Sequence, residues 1–245
     1  MRAAFWHLCA SAAVAIVASA LVFGLWYPHP YREVAGGEAL FLLIVGVDLI
    51  CGPLLTAVLF NPVKSRRELT VDLSLVVSIQ VAALVYGLYS VAMARPVVLA
   101  FEVDRFRVVA AADFQASDLK LATADMQLLS WTGPKLVGTR APNSSDERLR
   151  SLELSIQGQE PGSRPGWWQP YDLSRPEVMQ RAKSLSSLRT SRPDSTEAID
   201  RAARQTGLAV DELLYLPLVS HRRSDWVVLL DAAAAVRGFA PVDGF

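Results

Sequence analysis

Apolar positions run almost unbroken over the first third of this chain and then split into short stretches. Three segments approach or exceed the about 20 residues that a helix needs to cross a bilayer: Leu8–Tyr27, Gly37–Phe60 and about 72–94. Leu73–Ala94 carries no formal charge, and past Glu38 the second segment carries only Asp48. Beyond Pro96 no charge-free run exceeds nine residues, so no fourth span is expected. The pattern predicts a membrane protein in which residues 1–96 form three N-terminal transmembrane α-helices. Residues 97–245 then form a small α+β domain with mostly antiparallel strands.

The first segment admits two readings. Arg2, the apolar run and Ala18-Ser19-Ala20 together resemble a secretory signal with its cleavage motif. The run nevertheless continues through Leu21–Leu25 and closes on Trp26-Tyr27, as rings at a headgroup belt do, which points to a retained helix. Loop charges give the orientation. Asn61–Thr70 holds Lys64, Arg66 and Arg67 against Glu68, whereas Pro28–Gly36 has Arg32 offset by Glu33. The positive-inside bias puts the first of these loops in the cytoplasm and everything after Arg95 outside, which in a bacterium is the periplasm.

Polar residues within the spans are the candidate chemistry. Asp48 lies 11 residues after Gly37 and 12 before Phe60, near mid-membrane. A lone carboxylate there costs about 2.5–3.5 kcal/mol on insertion scales. Asp48, Gly52 and Thr56 recur at i, i+4 and i+8 as one helical stripe; Gly52 admits a close neighbour and Thr56 offers a hydroxyl. Pro53 frees the Leu49 carbonyl and favours a kink. Gln80 in the third span falls at a similar depth, with Gly87 two turns on along the same face. A neutral Asp48 carboxyl bonded to Gln80 would satisfy both groups. Three roles stay open: interhelical glue, a polar notch for another protein's membrane helix, and a proton relay.

After Pro96 the chain reads as short strands at Val97–Val103, Arg105–Ala110 and Leu136–Arg140. Ser174, Pro176 and Glu177 mark a helix start near Arg175. Asp194 with Glu197 marks another, closed by Gly207. Pro161–Pro170 (PGSRPGWWQP) reads as a rigid loop in which Trp167 and Trp168 pack against the domain. The end is a meander: Leu213–Ser220, a polar turn, Trp226–Leu230 and Val236–Val242. Pro217 suggests that its strand lies at an edge or is bulged. An edge strand is also a place for a partner strand to add.

Composition excludes several classes. Its 24 Lys+Arg balance 24 Asp+Glu, so no global field favours nucleic acid. Both cysteines, Cys9 and Cys51, lie in the apolar third as small hydrophobes, leaving the C-terminal domain to its own core. Nucleophile-elbow, phosphate-loop and zinc-protease motifs are absent, and His7, His29 and His221 stand far apart. No catalytic residue, metal ligand or cofactor is expected, and His221 in its basic turn is expected at the surface.

Several motifs, in order and at specific spacing, resemble the type IV pilin accessory proteins of the TfpX/TfpZ family. They are Trp26-Tyr27-Pro28, Gly46-Val47-Asp48-Leu49, Gly52-Pro53-Leu54-Leu55-Thr56, Lys64, Asp72, Gln80, Tyr86-Gly87, Arg95-Pro96 and Asp104-Arg105-Phe106. The resemblance covers about residues 20–110, with looser likeness at Tyr215–Leu218 and Trp226–Asp231. It implies a multi-pass inner-membrane protein that assists the major type IV pilin, as a chaperone or assembly modulator, alongside other pilus assembly proteins. Such a pilin waits in the membrane by its apolar helix with its head in the periplasm. On that expectation Asp48, Gly52, Thr56, Gln80 and Gly87 contact the pilin helix and the outer domain contacts the head. A membrane-anchored sensor is the alternative, disfavoured by a cytoplasmic loop of only about ten residues.

Overall fold

The computed structural model describes residues 2–59, 64–115 and 117–245. The last residue of the second apolar segment, Phe60, and the first of the basic loop, Asn61–Val63, lie outside the described residues. The chain divides into two compact units, Met1–Arg95 and Pro96–Phe245.

The first unit is helical because a segment in lipid must satisfy every backbone N–H and C=O internally. It comprises α1 (Arg2–Leu21), which continues as a π-helical turn at Val22–Trp26, a short α2 (Tyr31–Val34), α3 (Gly37–Leu59) and α4 (Arg66–Ala94). Phe5–Trp26, α3 and α4 are each long and apolar enough to cross a membrane. Their outward residues, such as Ile16, Val58 and Val85, are exposed apolar side chains suited to lipid. α3 runs through Pro53 without interruption. Ser65 and Glu68 cap α4 reciprocally: the Ser65 hydroxyl accepts from Glu68 N at 3.3 Å, and the Glu68 carboxylate accepts from Ser65 N at 3.0 Å.

One end of the bundle is pinned by Tyr27. Its ring is fully buried against Gly37, where any side chain would collide with it, and its hydroxyl donates to the Val91 carbonyl at 2.9 Å. Ala18, Val22, Trp26, Phe41 and Val91 complete the cluster, with Phe23 set edge-on to Phe41 at 5.1 Å. Ala18 belongs to the alternative cleavage motif, yet here it is buried. The first apolar segment is thus built into the bundle.

The second unit is one sheet with helices packed on it. Its elements are β1 (Pro96–Glu102), β2 (Arg105–Ala110), β3 (Lys135–Thr139), α5 (Ser145–Ile156), β4 (Trp168–Pro170), α6 (Tyr171–Arg181), β5 (Lys183–Ser184), α7 (Leu185–Ser191), α8 (Thr196–Thr206), β6 (Leu214–Val219), β7 (Trp226–Leu230) and β8 (Val236–Ala240). The order is β4-β3-β1-β2-β6-β7-β8, with β5 beside the start of β6. β1–β3 and β2–β6 pair parallel and the other described pairs antiparallel.

β1 is buried along its whole length, which explains why its sequence barely alternates. Val98 and Ala100 face a cluster with Val109, Met126, Val137 and Trp168. Phe101, on the opposite face, meets Phe106 at 5.6 Å, and Phe106 in turn meets Tyr171 at 6.1 Å. A second cluster forms where Leu185, Leu188, Ile199 and Ala203 of α7 and α8 cover Tyr215, Val227 and Leu229. Gly207 ends α8 in the left-handed conformation (φ 76°), as expected from the sequence.

Two local expectations are corrected. Pro217 is neither at an edge nor in a bulge, since β6 is flanked by β7 on one side and by β5 and β2 on the other. β5 reaches only to Tyr215 and β2 starts at Leu218, so Pro217 falls in the gap between them, where no ladder donor is required. The helix expected near Arg175 begins a turn earlier, at Tyr171 after Pro170, and carries Pro176 inside it. The Tyr171 side chain accounts for the difference: it is buried, and its hydroxyl donates to the Ala234 carbonyl at 2.6 Å.

A charged group inside this unit ties three segments together. Glu102 is buried; it accepts from Arg107 Nε at 2.5 Å and from Gly162 N at 2.8 Å. Burial pushes its carboxyl up, against the opposing pull of Arg107. Replacing Glu102 by Ala leaves the Gly162 amide unpaired and Arg107 with only its longer contact to Glu160 (3.5 Å), and should lower the unfolding free energy of this unit by about 2 kcal/mol. The double change Glu102→Ala, Arg107→Met should cost less than Glu102→Ala alone, as read from chemical-denaturation midpoints of the full chain.

Candidate functional site

Several polar side chains of the membrane unit face inward, although Ser74 and Ser78 of α4 are exposed. Asp48, at the middle of α3, is half-buried and faces α4, where Gln80 Nε2 donates to its carboxylate at 3.0 Å and to its backbone carbonyl at 3.3 Å. One turn further along α3, Gly52 is buried against the Gln80 carboxamide, and a methyl group on Gly52 would overlap that amide. Glycine at 52 is therefore what lets Gln80 lie across α3 and reach Asp48. Gln80 Oε1 is buried and has no donor among the described residues.

Thr56 goes elsewhere. It is only 2% exposed and its hydroxyl lies 2.5 Å from Nδ1 of His7 on α1. Gly87 is buried against Ile44 of α3, with a built Cβ 2.6 Å from Ile44 Cγ2. The structure thus brings together Asp48, Gly52 and Gln80. It turns Thr56 toward α1, while Gly87 packs on Ile44 and lines, with Asp48 and Gln80, a second groove of about 350 Å³ between α3 and α4.

His7 is the residue that reading by local spacing missed. The signal was present, because α1 and α3 run antiparallel, which sets a residue near the start of α1 level with one near the end of α3. His7 and Thr56 meet that condition, but neither sequence spacing nor motif reveals it. Beside Asp48 and Gln80 a cavity of about 300 Å³ opens, which His7 also lines.

The second unit holds a larger concavity, about 830 Å³, whose wall includes Trp167. Two guanidinium groups lie against Trp167, Arg140 at 4.6 Å and Arg164 at 5.2 Å from its ring. Both arginines are committed. Arg140 holds Glu147 through two hydrogen bonds (2.6 and 3.1 Å), and these hold the Glu147 carboxyl down at about 2. Arg164 donates to Ser151 and Ser155 of α5. Trp168, by contrast, is core: it is 4% exposed and donates to the Gly162 carbonyl at 2.7 Å. His221 is exposed, as expected, and pairs with Asp113 at 2.8 Å. Among the described residues no three His, Cys, Asp or Glu side chains converge as a metal site.

The glycine argument has a direct consequence. Gly52→Ala should force Gln80 off Asp48 and loosen α3 from α4 by about 1 kcal/mol, the range of one interhelical hydrogen bond. Gly46→Ala, whose added methyl meets nothing, should change nothing. The detergent concentration at which helical circular dichroism is lost measures both.

Comparison with known proteins places the chain. The model of the family "Fimbrial assembly protein FimB" matches residues 1–36. A fimbrial assembly protein of Dichelobacter nodosus serogroup I is 34% identical over 240 residues, 98% of this chain and 93% of the relative. Its serogroup E1 counterpart is 33% identical over the same shares. The protein of serogroups C1 and C2 is 42% identical over 116 residues, 47% of this chain and 88% of that relative. No solved structure matches. With identity sustained across nearly the whole of both chains, the protein belongs to the fimbrial assembly protein family.

Proposed function

We propose that this chain is a non-catalytic accessory of the major fimbrial subunit, a type IV pilin. It holds the subunit's apolar helix in the inner membrane and its head in the periplasm during assembly. Family membership supports the role in assembly, and the three apolar helices support the membrane setting. The observation that carries the partner is the Asp48–Gln80 pair: a carboxylate in the middle of a span, only half-buried by its own bundle and opening on a cavity. An ionisable group kept in lipid and still accessible marks a binding or transport function more often than plain packing. The basic residues Lys64, Arg66 and Arg67 before α4 favour a cytoplasmic position for that turn, with Pro96–Phe245 in the periplasm.

Deleting the gene should abolish or strongly reduce surface fimbriae, and the intact chain should restore them. Asp48→Ala should restore few while reaching the membrane at normal level, as read by electron microscopy and immunoblot of the same cells. Normal fimbriation with Asp48→Ala would reduce the pair to interhelical glue.

A further inference from the structure

α3 packs along both α1 and α4, whereas α1 and α4 hardly meet except at the Tyr27 end. A seam is left between them, with α3 as its floor. His7, Ser11 and Val14 of α1 face it from one wall, at i, i+4 and i+7. Val77, Gln80 and Val81 of α4 face it from the other, at i, i+3 and i+4, and Asp48 sits at the bottom. The same walls continue past Val14 as Val17 and Leu21, opposite Leu88. From residue 7 to residue 21 the α1 wall extends about 21 Å at 1.5 Å per residue, four turns of helix. Such a surface, apolar along its walls with one polar stretch, has the length and the repeat of a single helix lying alongside.

The polar stretch selects the occupant. The group at the floor that is not fully spent is an acceptor: the Asp48 carboxylate, one oxygen of which takes the Gln80 amide. Lipid chains bring no donor, and in hydrocarbon an unmet acceptor is unfavourable. Building on the proposed function above, we infer that the α1–α4 seam receives the apolar helix of the fimbrial subunit, which presents a hydrogen-bond donor (hydroxyl, amide or amine) at the depth of Asp48. Gly52 and Thr56 then act from inside the bundle: Gly52 by letting Gln80 reach the seam floor, Thr56 by fixing His7 on the wall. Neither touches the subunit.

The test is photo-crosslinking in membranes of cells that co-express the subunit, with benzoylphenylalanine in the full-length chain. It is placed at Val14 and Val81 on the seam, and at Ile50 and Val85 on outward faces (66% and 61% exposed). The seam positions should capture the subunit and the outward ones should not. Ala10→Phe, which fills the seam from its wall, should abolish capture at Val81. Asp48→Asn, which keeps an acceptor, should preserve it, and Asp48→Leu should lower it about three- to tenfold, the effect of one interhelical hydrogen bond. Capture of the subunit at Ile50 or Val85 but not at the seam would overturn this inference and leave the proposed partner standing. Capture of a second copy of this chain at Val14 and Val81 would assign the seam to self-association and overturn it. Capture of no subunit at any position, with the chain inserted, would overturn both.

Discussion

The membrane unit depends on one constraint: lipid offers no hydrogen bonds, so each polar side chain within a span must find a partner inside the protein. Asp48 with Gln80, and Thr56 with His7, meet that requirement along one stripe of α3. Each pair crosses to a different neighbour, so α3 is the helix that both α1 and α4 are fastened to. Gly52 is a consequence of the first pair, because Gln80 can lie across α3 only where no side chain stands. The Tyr27 hydroxyl on the Val91 carbonyl closes the far end of the bundle in the same way. What remains is a carboxylate that is paired with Gln80 and still lines open grooves in the bundle.

The C-terminal unit solves a different problem. Without cysteines it relies on a sheet buried on both faces, with α7 and α8 over one half and turns, Trp168 and Tyr171 over the rest. Its deeply buried carboxylate Glu102 is held by Arg107 and a backbone amide that link β1, β2 and the loop before β4. Arg140 and Arg164 both bind α5 and both lie against the Trp167 ring, and so tie α5 to the aromatic loop.

Much of this was legible in the sequence. The three long helices, the mostly antiparallel character of the sheet, the C-terminal meander and the glycine that ends α8 follow from apolar run length, strand spacing and capping chemistry. The Asp48–Gln80 pair was legible too, because two polar residues at one membrane depth have few alternatives. Pro217 was misread because edge or interior is decided by which strands lie alongside, and β2 and β5 are far away in the chain. The start of α6 was misread because a buried tyrosine outweighed a local capping signal. His7 was passed over because its partner is 49 residues away, and level only once the helices are set antiparallel. Each miss rests on a contact between distant segments; each success rests on a local or periodic rule.

If the subunit is recognised through its membrane helix, that helix must dominate binding. The decisive measurement is the affinity of the full chain, reconstituted in lipid nanodiscs, for the purified fimbrial subunit with and without its apolar helix. Recognition in the membrane predicts binding of the intact subunit and a loss of at least about tenfold, 1.4 kcal/mol or more, when the helix is removed. Equal affinity for both forms would place recognition in the C-terminal unit and contradict a membrane seam as the point of contact.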